Sequence, residues 1–105
     1  MTQSNADRWV KAKVVVTHAV GFHARPSVKF TKLAKTFQCR VEVAVSQDGP
    51  WIDAKSVVKI MALRAPMGAE LHIRADGEGA GTAVQELRGL VERDFDEATG
   101  DAEPA

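Results

Sequence analysis

Apolar and polar positions alternate from Trp9 to Thr17. Val10, Ala12, Val14 and Val16 fall on one side, and Trp9, Lys11, Lys13 and Val15 on the other. A period of two predicts a strand with one buried face. After a short loop at 18–22 the period changes. From Ala24 to Phe37, the residues Phe30, Leu33, Ala34 and Phe37 recur at helical spacing, and Lys29, Lys32 and Lys35 lie off that stripe. Cys39 to Val45 alternates again, with Cys39, Val41, Val43 and Val45 inward and Arg40, Glu42 and Ala44 outward. The cluster Ser46-Gln47-Asp48-Gly49-Pro50 reads as a turn, and Trp51–Ala54 as a short strand that closes a hairpin. Ser56–Leu63 reads as a short helix ended by Pro66 and Gly68. Ala69–Ala75 is a fourth alternating run, with Leu71, Ile73 and Ala75 inward and Glu70, His72 and Arg74 outward. Thr82–Phe95 is amphipathic through Val84, Leu87, Val91 and Phe95, and Thr82 with Gln85 has capping-box spacing.

The resulting order is β-α-β-β-α-β-α. It predicts an α+β domain of two layers, a four-stranded antiparallel sheet covered on one face by three helices. A chain of 105 residues supports one such domain and excludes separate cofactor and substrate domains. Apolar residues make up 45% of it, too many for disorder throughout. Residues 1–7 and 97–105 lack periodicity and are expected to be flexible tails around a domain at 8–96.

Charge narrows the function. Fourteen Lys and Arg balance fourteen Asp and Glu, which argues against a dedicated nucleic-acid binder. Cys39 is the only cysteine, so no internal disulfide can form, and its inward phase makes it a core thiol. No apolar run reaches membrane-spanning length, and the expectation is a cytoplasmic protein without membrane insertion.

The segment Gly21-Phe22-His23-Ala24-Arg25-Pro26 carries the candidate chemistry. Proline is tolerated in the first turn of a helix, so Pro26 places the helix start within a residue or two and His23 at or near the cap. Free backbone N–H groups and the positive end of the helix dipole then face the imidazole. They stabilise an anion and favour the neutral, nucleophilic ring. Arg25 can donate paired hydrogen bonds to phosphate oxygens. These are the parts of a histidine that accepts a phosphoryl group and passes it on. The plainer reading is a capping histidine beside a surface arginine.

The same segment resembles the active-site signature of the histidine-containing phosphocarrier family, HPr, of the bacterial phosphoenolpyruvate-dependent phosphotransferase system. Phe22 stands where that family usually has Leu. The resemblance extends through Phe30, Lys32, Ala34, Lys35 and Phe37, through Ala54-Lys55-Ser56, and on through Gly68, Leu71-His72-Ile73, Gly77 and Ala83-Val84 to Leu87. It covers about residues 10–95. It implies the family's open-faced β-sandwich and a carrier that is not itself an enzyme and needs no cofactor or metal. His23 would be phosphorylated on Nδ1 by enzyme I, Arg25 would contact the phosphoryl group, and an enzyme IIA-type domain would receive it. Lys32 and Lys35 match basic positions of the partner surface, and monomer is the family expectation. Ser56 matches the family's regulatory serine, a possible target of an HPr kinase/phosphorylase, and is also a natural N-cap. A phosphate there would add negative charge beside the docking face.

The second helix has only Lys59 as a polar residue between Val57 and Leu63. It is either deeply buried or exposes an apolar docking patch that includes Val57 and Met61. The remaining signals are weak. His18 and His23 have no third ligand for a metal. His72 is expected to be solvated, Gly77-x-Gly79-x-Gly81 lacks the lysine of a P-loop, and Trp51 has no assigned chemistry. Leu63–Met67 and Gly49-Pro50-Trp51-Ile52-Asp53 depart from sugar-specific carriers. The latter is similar to HPr-like domains of multiphosphoryl or dihydroxyacetone transfer systems, which leaves the acceptor and pathway open. Two other classes compete: a regulatory HPr-like module acting through Ser56 and protein binding, and a small acylphosphatase-like hydrolase. The latter would need a phosphate-cradling loop that the sequence does not contain.

Overall fold

The computed structural model describes residues 8–17 and 24–96. Both tails and the loop before the first helix lie outside them, so the expected flexible ends are not addressed. The elements are β1 (Val10–Val15), α1 (Ala24–Lys35), β2 (Arg40–Ala44), β3 (Ile52–Asp53), α2 (Val57–Leu63), β4 (Glu70–Asp76) and α3 (Ala80–Glu92), followed by a 3-10 turn at Asp94–Asp96. The four strands form one antiparallel sheet in the order β1-β4-β2-β3. Val10 of β1 stands opposite Ala75 of β4, and Val43 of β2 opposite Ile73. This register puts Val14, Val16, Val41, Val43, Leu71, Ile73 and Ala75 on the helix side. They meet Phe30, Ala34, Ile60, Ala83, Val84, Leu87 and Val91 in a single core. The predicted α+β architecture, with helices on one face of the sheet, is the observed one.

Several boundaries differ from the expectation. α1 ends at Lys35, although Phe37 still packs against the core. Val10 and Val45 are exposed: Val10 is the first residue of the edge strand β1 and borders an open depression beside α3, and Val45 lies beyond the end of β2. α3 starts at Ala80, with Gly79 at the N-cap in a left-handed conformation (φ 83°) and no side-chain cap bond. The capping box expected from Thr82 and Gln85 therefore does not form: Thr82 is already inside the first turn. At the other end the helix stops at Glu92. Asp94, Phe95 and Asp96 have φ of 61°, 56° and 61°, and Phe95 is fully buried. A left-handed turn at non-glycine residues costs about 1 kcal/mol or more per residue. Burying a phenylalanine offsets a cost of that order.

The sheet's other face is not simply open. Ala44, expected outward, is fully buried, and His72, expected to be solvated, is buried across the register from it. The reason is Trp51, whose ring stands edge-on to the His72 ring with centroids 6.4 Å apart. Gly49 makes this approach possible. It has φ 89°, and a Cβ there would come within 2.9 Å of the Trp51 backbone nitrogen.

Candidate functional site

α1 begins at Ala24, so Arg25 is its second residue and Pro26 its third. The first four N–H groups of a helix lack internal partners, and proline there breaks no bond. The Pro26 ring and Ser27 are fully buried, which pins the helix start against the interior while Arg25 stays at the surface. His23 and Gly21 lie outside the described residues. Residue 23 directly precedes the first helical residue, the end where the amide dipoles converge. Lys32 and Lys35 are exposed in the last turn of α1, where cations complement the negative end of the dipole. Lys29 instead donates from Nζ to the Phe95 carbonyl at 3.0 Å and ties α1 to the C-terminal turn.

α2 packs beside α1. The loop that leads into it is held by Lys55, whose Nζ donates to the Phe37 carbonyl at 2.7 Å. Ser56 therefore sits by the C-terminal end of α1, which lies about 15 Å along that helix from Arg25. Ser56 is the N-cap of α2: its Oγ accepts from the Lys59 backbone N–H at 3.2 Å. Replacing it with alanine is expected to cost about 1 kcal/mol in urea unfolding; a change within about 0.3 kcal/mol would deny the cap any energetic role.

Only Ile60 of α2 is buried, so the deeply buried reading of this helix is wrong. The exposed members are Val58, at 73% exposure, and Met61, at 42%. Val57, expected among them, is half-buried. Val58 and Met61 are thus exposed apolar residues on a helix that packs beside α1. A surface depression of about 540 Å³ lies elsewhere, between β1 and α3. None of the described candidate residues borders it.

One constellation was not anticipated. On the sheet face away from the helices, the Arg74 guanidinium lies between two indoles, 4.1 Å from the ring centroid of Trp9 and 4.1 Å from that of Trp51. Its Nε and Nη2 both donate to Glu42 Oε1, at 2.9 and 2.6 Å. Arg40 sits 5.5 Å from the Trp9 ring and donates to Glu42 Oε2 at 3.3 Å. The strand alternation puts Trp9, Arg40, Glu42 and Arg74 on one face. What it lacks is the pairing order, which sets β4 between β1 and β2.

At the edge of this cluster Arg8 donates to Asp76 Oδ2 at 2.7 Å. That hydrogen bond holds the Asp76 carboxyl below its ordinary value, while partial desolvation opposes the shift. A depressed carboxyl stabilises the fold above its unfolded pKa and loses that contribution as pH falls through the folded one. The parent and Asp76→Asn are thus expected to differ in stability at neutral pH and to converge in acid, below roughly pH 4. Urea melts from pH 7 to pH 2.5 check this; a constant difference across that range would contradict it.

Comparison with known proteins decides the family. A model described as "PTS HPr component phosphorylation site" matches residues 10–93. The chain belongs to the HPr family. Among its relatives is the phosphocarrier protein HPr of Xylella fastidiosa, 36% identical over 83% of this chain and 96% of that protein. The HPr of Pseudomonas aeruginosa is 32% identical over 81% and 93%. Among solved structures, HPr-C-His from Thermoanaerobacter tengcongensis superposes with a TM-score of 0.77 at 28% identity, covering 84% of this chain and 97% of that one. The catabolite repression protein Crh of Bacillus subtilis, described as a domain-swapped dimer, superposes with a TM-score of 0.63 at 32% identity, covering 80% and 94%. The protein is thus an HPr-type phosphocarrier of the phosphotransferase system, a carrier rather than a catalyst. Among the described residues no helix is long and apolar enough to cross a membrane.

Proposed function

We propose that His23 is the phosphoryl acceptor, that enzyme I is its donor and that an enzyme IIA-type domain receives the group from it. The observation that carries this reading is the start of α1. In a chain of the HPr family, Arg25 is exposed one helical residue beyond Ala24, Pro26 is buried behind it, and residue 23 precedes the turn. The Nδ1 lone pair forms the N–P bond as the bond to the donor breaks, and the reverse exchange delivers the group onward. Helix amides and the Arg25 guanidinium offer donors to the phosphoryl oxygens in both directions. The partners dock on a surface that includes Lys32 and Lys35 of α1 and Met61 and the half-buried Val57 of α2. Positive charge there steers an acidic partner, and the apolar centre holds it. The protein works in the cytoplasm, as a monomer. The test is intact-mass analysis after incubation with phosphoenolpyruvate and enzyme I. One acid-labile phosphoryl group is expected; its absence, with an enzyme I active on another carrier, would overturn the reading.

The similarity to Crh, a protein named for catabolite repression, favours a second reading. In it Ser56, phosphorylated by an HPr kinase/phosphorylase, makes the protein a regulator. A phosphate on Ser56 would put negative charge beside Lys35 and Val57 and weaken docking of acidic partners. A phosphoryl group that survives acid and disappears in Ser56→Ala would support this reading.

A further inference from the structure

Three ion pairs on the helix-free face of the sheet share a polarity, whereas in His72–Glu70 the base is the more buried member and in Arg74–Glu42 the two are about equally buried. In Arg8–Asp76 the side chains are 59% and 17% exposed, in Arg40–Glu42 68% and 18%, and in Lys13–Glu70 63% and 49%. In each of these three the base stands outward and the acid lies lower. Lys11, exposed on β1 and across the register from Arg74, adds a further cation. The face therefore exposes Arg8, Lys11, Lys13 and Arg40 against Glu70 and Asp53, an excess of cations around two half-buried indoles, although the whole chain is neutral. Arg74 is held between those indoles by its two bonds to Glu42. Preorganised tryptophan and arginine are the residue types that dominate binding energy at protein interfaces.

We infer that this face is a second docking surface and that its occupant is the acidic surface of another protein. Three other occupants fit less well. A second copy of this chain, applied face to face, would set cations against cations. The chain's own C-terminal segment is acidic, but it departs from Phe95, which is held by Lys29 on the helix side of the sheet. Single-stranded nucleic acid binds basic aromatic surfaces by stacking bases on free rings. Here Arg74 already covers a face of Trp9 and of Trp51, and Arg40 also lies against Trp9. The surface lies on the opposite side of the sheet from α1 and α2, so a protein bound there leaves the start of α1 accessible. The inference is independent of His23 chemistry.

The test uses the full chain and a deca-glutamate peptide as the probe, at low salt, read by amide and indole NMR shifts. Both tryptophans of the chain are on this face, so both indole signals report on it. Saturable shifts centred on residues 8–13, 40–44 and 70–76 are expected, and they should weaken as salt screens the charges. Lys11→Glu with Lys13→Glu, two exposed positions of which Lys13 has only an exposed ion pair at 3.6 Å, should weaken binding about tenfold or more while leaving the melting curve in place. Lys32→Glu with Lys35→Glu should leave binding at this face within about twofold. Shifts centred on α1 and α2, or no saturable shift, would overturn the inference. Tighter binding of deca-thymidylate would assign the face to nucleic acid instead. If Glu97→Gln with Asp101→Asn and Glu103→Gln alone moves the same signals, the chain's own end is the occupant and the inference fails.

Discussion

Replacing His23 with alanine is expected to abolish phosphoryl uptake from phosphoenolpyruvate and enzyme I, with no residual acid-labile product. The loss should be complete rather than partial, because no other group of the site can form the same bond. Arg25 carries a guanidinium, which is no nucleophile. Lys32 and Lys35 are cationic amines near the far end of α1. Folding should be little affected. Pro26 and Ser27 are buried behind the helix start and Phe30 packs in the core, so the first turn is anchored without the imidazole. A cap contribution of about 1 kcal/mol is the most that the substitution should remove. Arg25→Ala offers the graded counterpart: uptake at the same site, slower by about tenfold or more as charge-assisted bonds to the phosphoryl oxygens are lost. Mass analysis of the three proteins side by side reads both effects. Acid-labile phosphate on His23→Ala would relocate the acceptor to another histidine.

Arg74→Ala carries the largest expected effect on stability. The substitution removes a cation from between two indoles and takes both of Glu42's short bonds with it. It leaves a carboxylate 18% exposed with only the longer contact from Arg40. Cation–π contacts of this kind contribute about 0.5–2 kcal/mol each, and stripping a partner from a largely buried carboxylate adds to that. The exposed edge of the cluster moderates the sum, so a loss of about 2–4 kcal/mol is expected, or a fall of roughly 10 °C or more in Tm. Arg74→Lys should lie between, since it keeps the charge and loses the planar fork. Combining Arg74→Ala with Glu42→Gln should cost less than the two single changes added, because the orphaned charge is then gone. Tryptophan emission should shift to the red as the indoles lose their spacer. A loss under about 0.5 kcal/mol would show the stack to be ornamental.

The helix-side core was legible because burial against helices imposes a period. Val14, Val41, Val43, Leu71 and Ile73 read correctly from alternation, and Phe30, Ala34, Val84 and Leu87 from helical spacing. Expectations failed where the period meets an edge. Val45 is in phase with the core but lies beyond β2, and Val57, expected to be exposed, is half-buried at the start of α2. Thr82 has the right spacing for a cap, yet Gly79 ends the preceding loop three residues earlier by reaching a conformation closed to most side chains. His72 looked solvated because its neighbours Glu70 and Arg74 are polar; the tryptophan that covers it comes from a loop twenty-one residues away.

The sequence by itself determined the layer order, the core and the residues at the start of α1. These depend on neighbours along the chain: a period of two or 3.6, a proline in a first turn, and an arginine two residues after a histidine. Only the tertiary structure decided that Arg74 lies between Trp9 and Trp51, that Glu42 holds it, and that Arg8 and Arg40 stand above the acids they pair with. Those relations hold between residues on β1, β2, β4 and the loop before β3. Polar side chains on a sheet face follow no burial rule that would betray them in the sequence. Strand order alone brings them together.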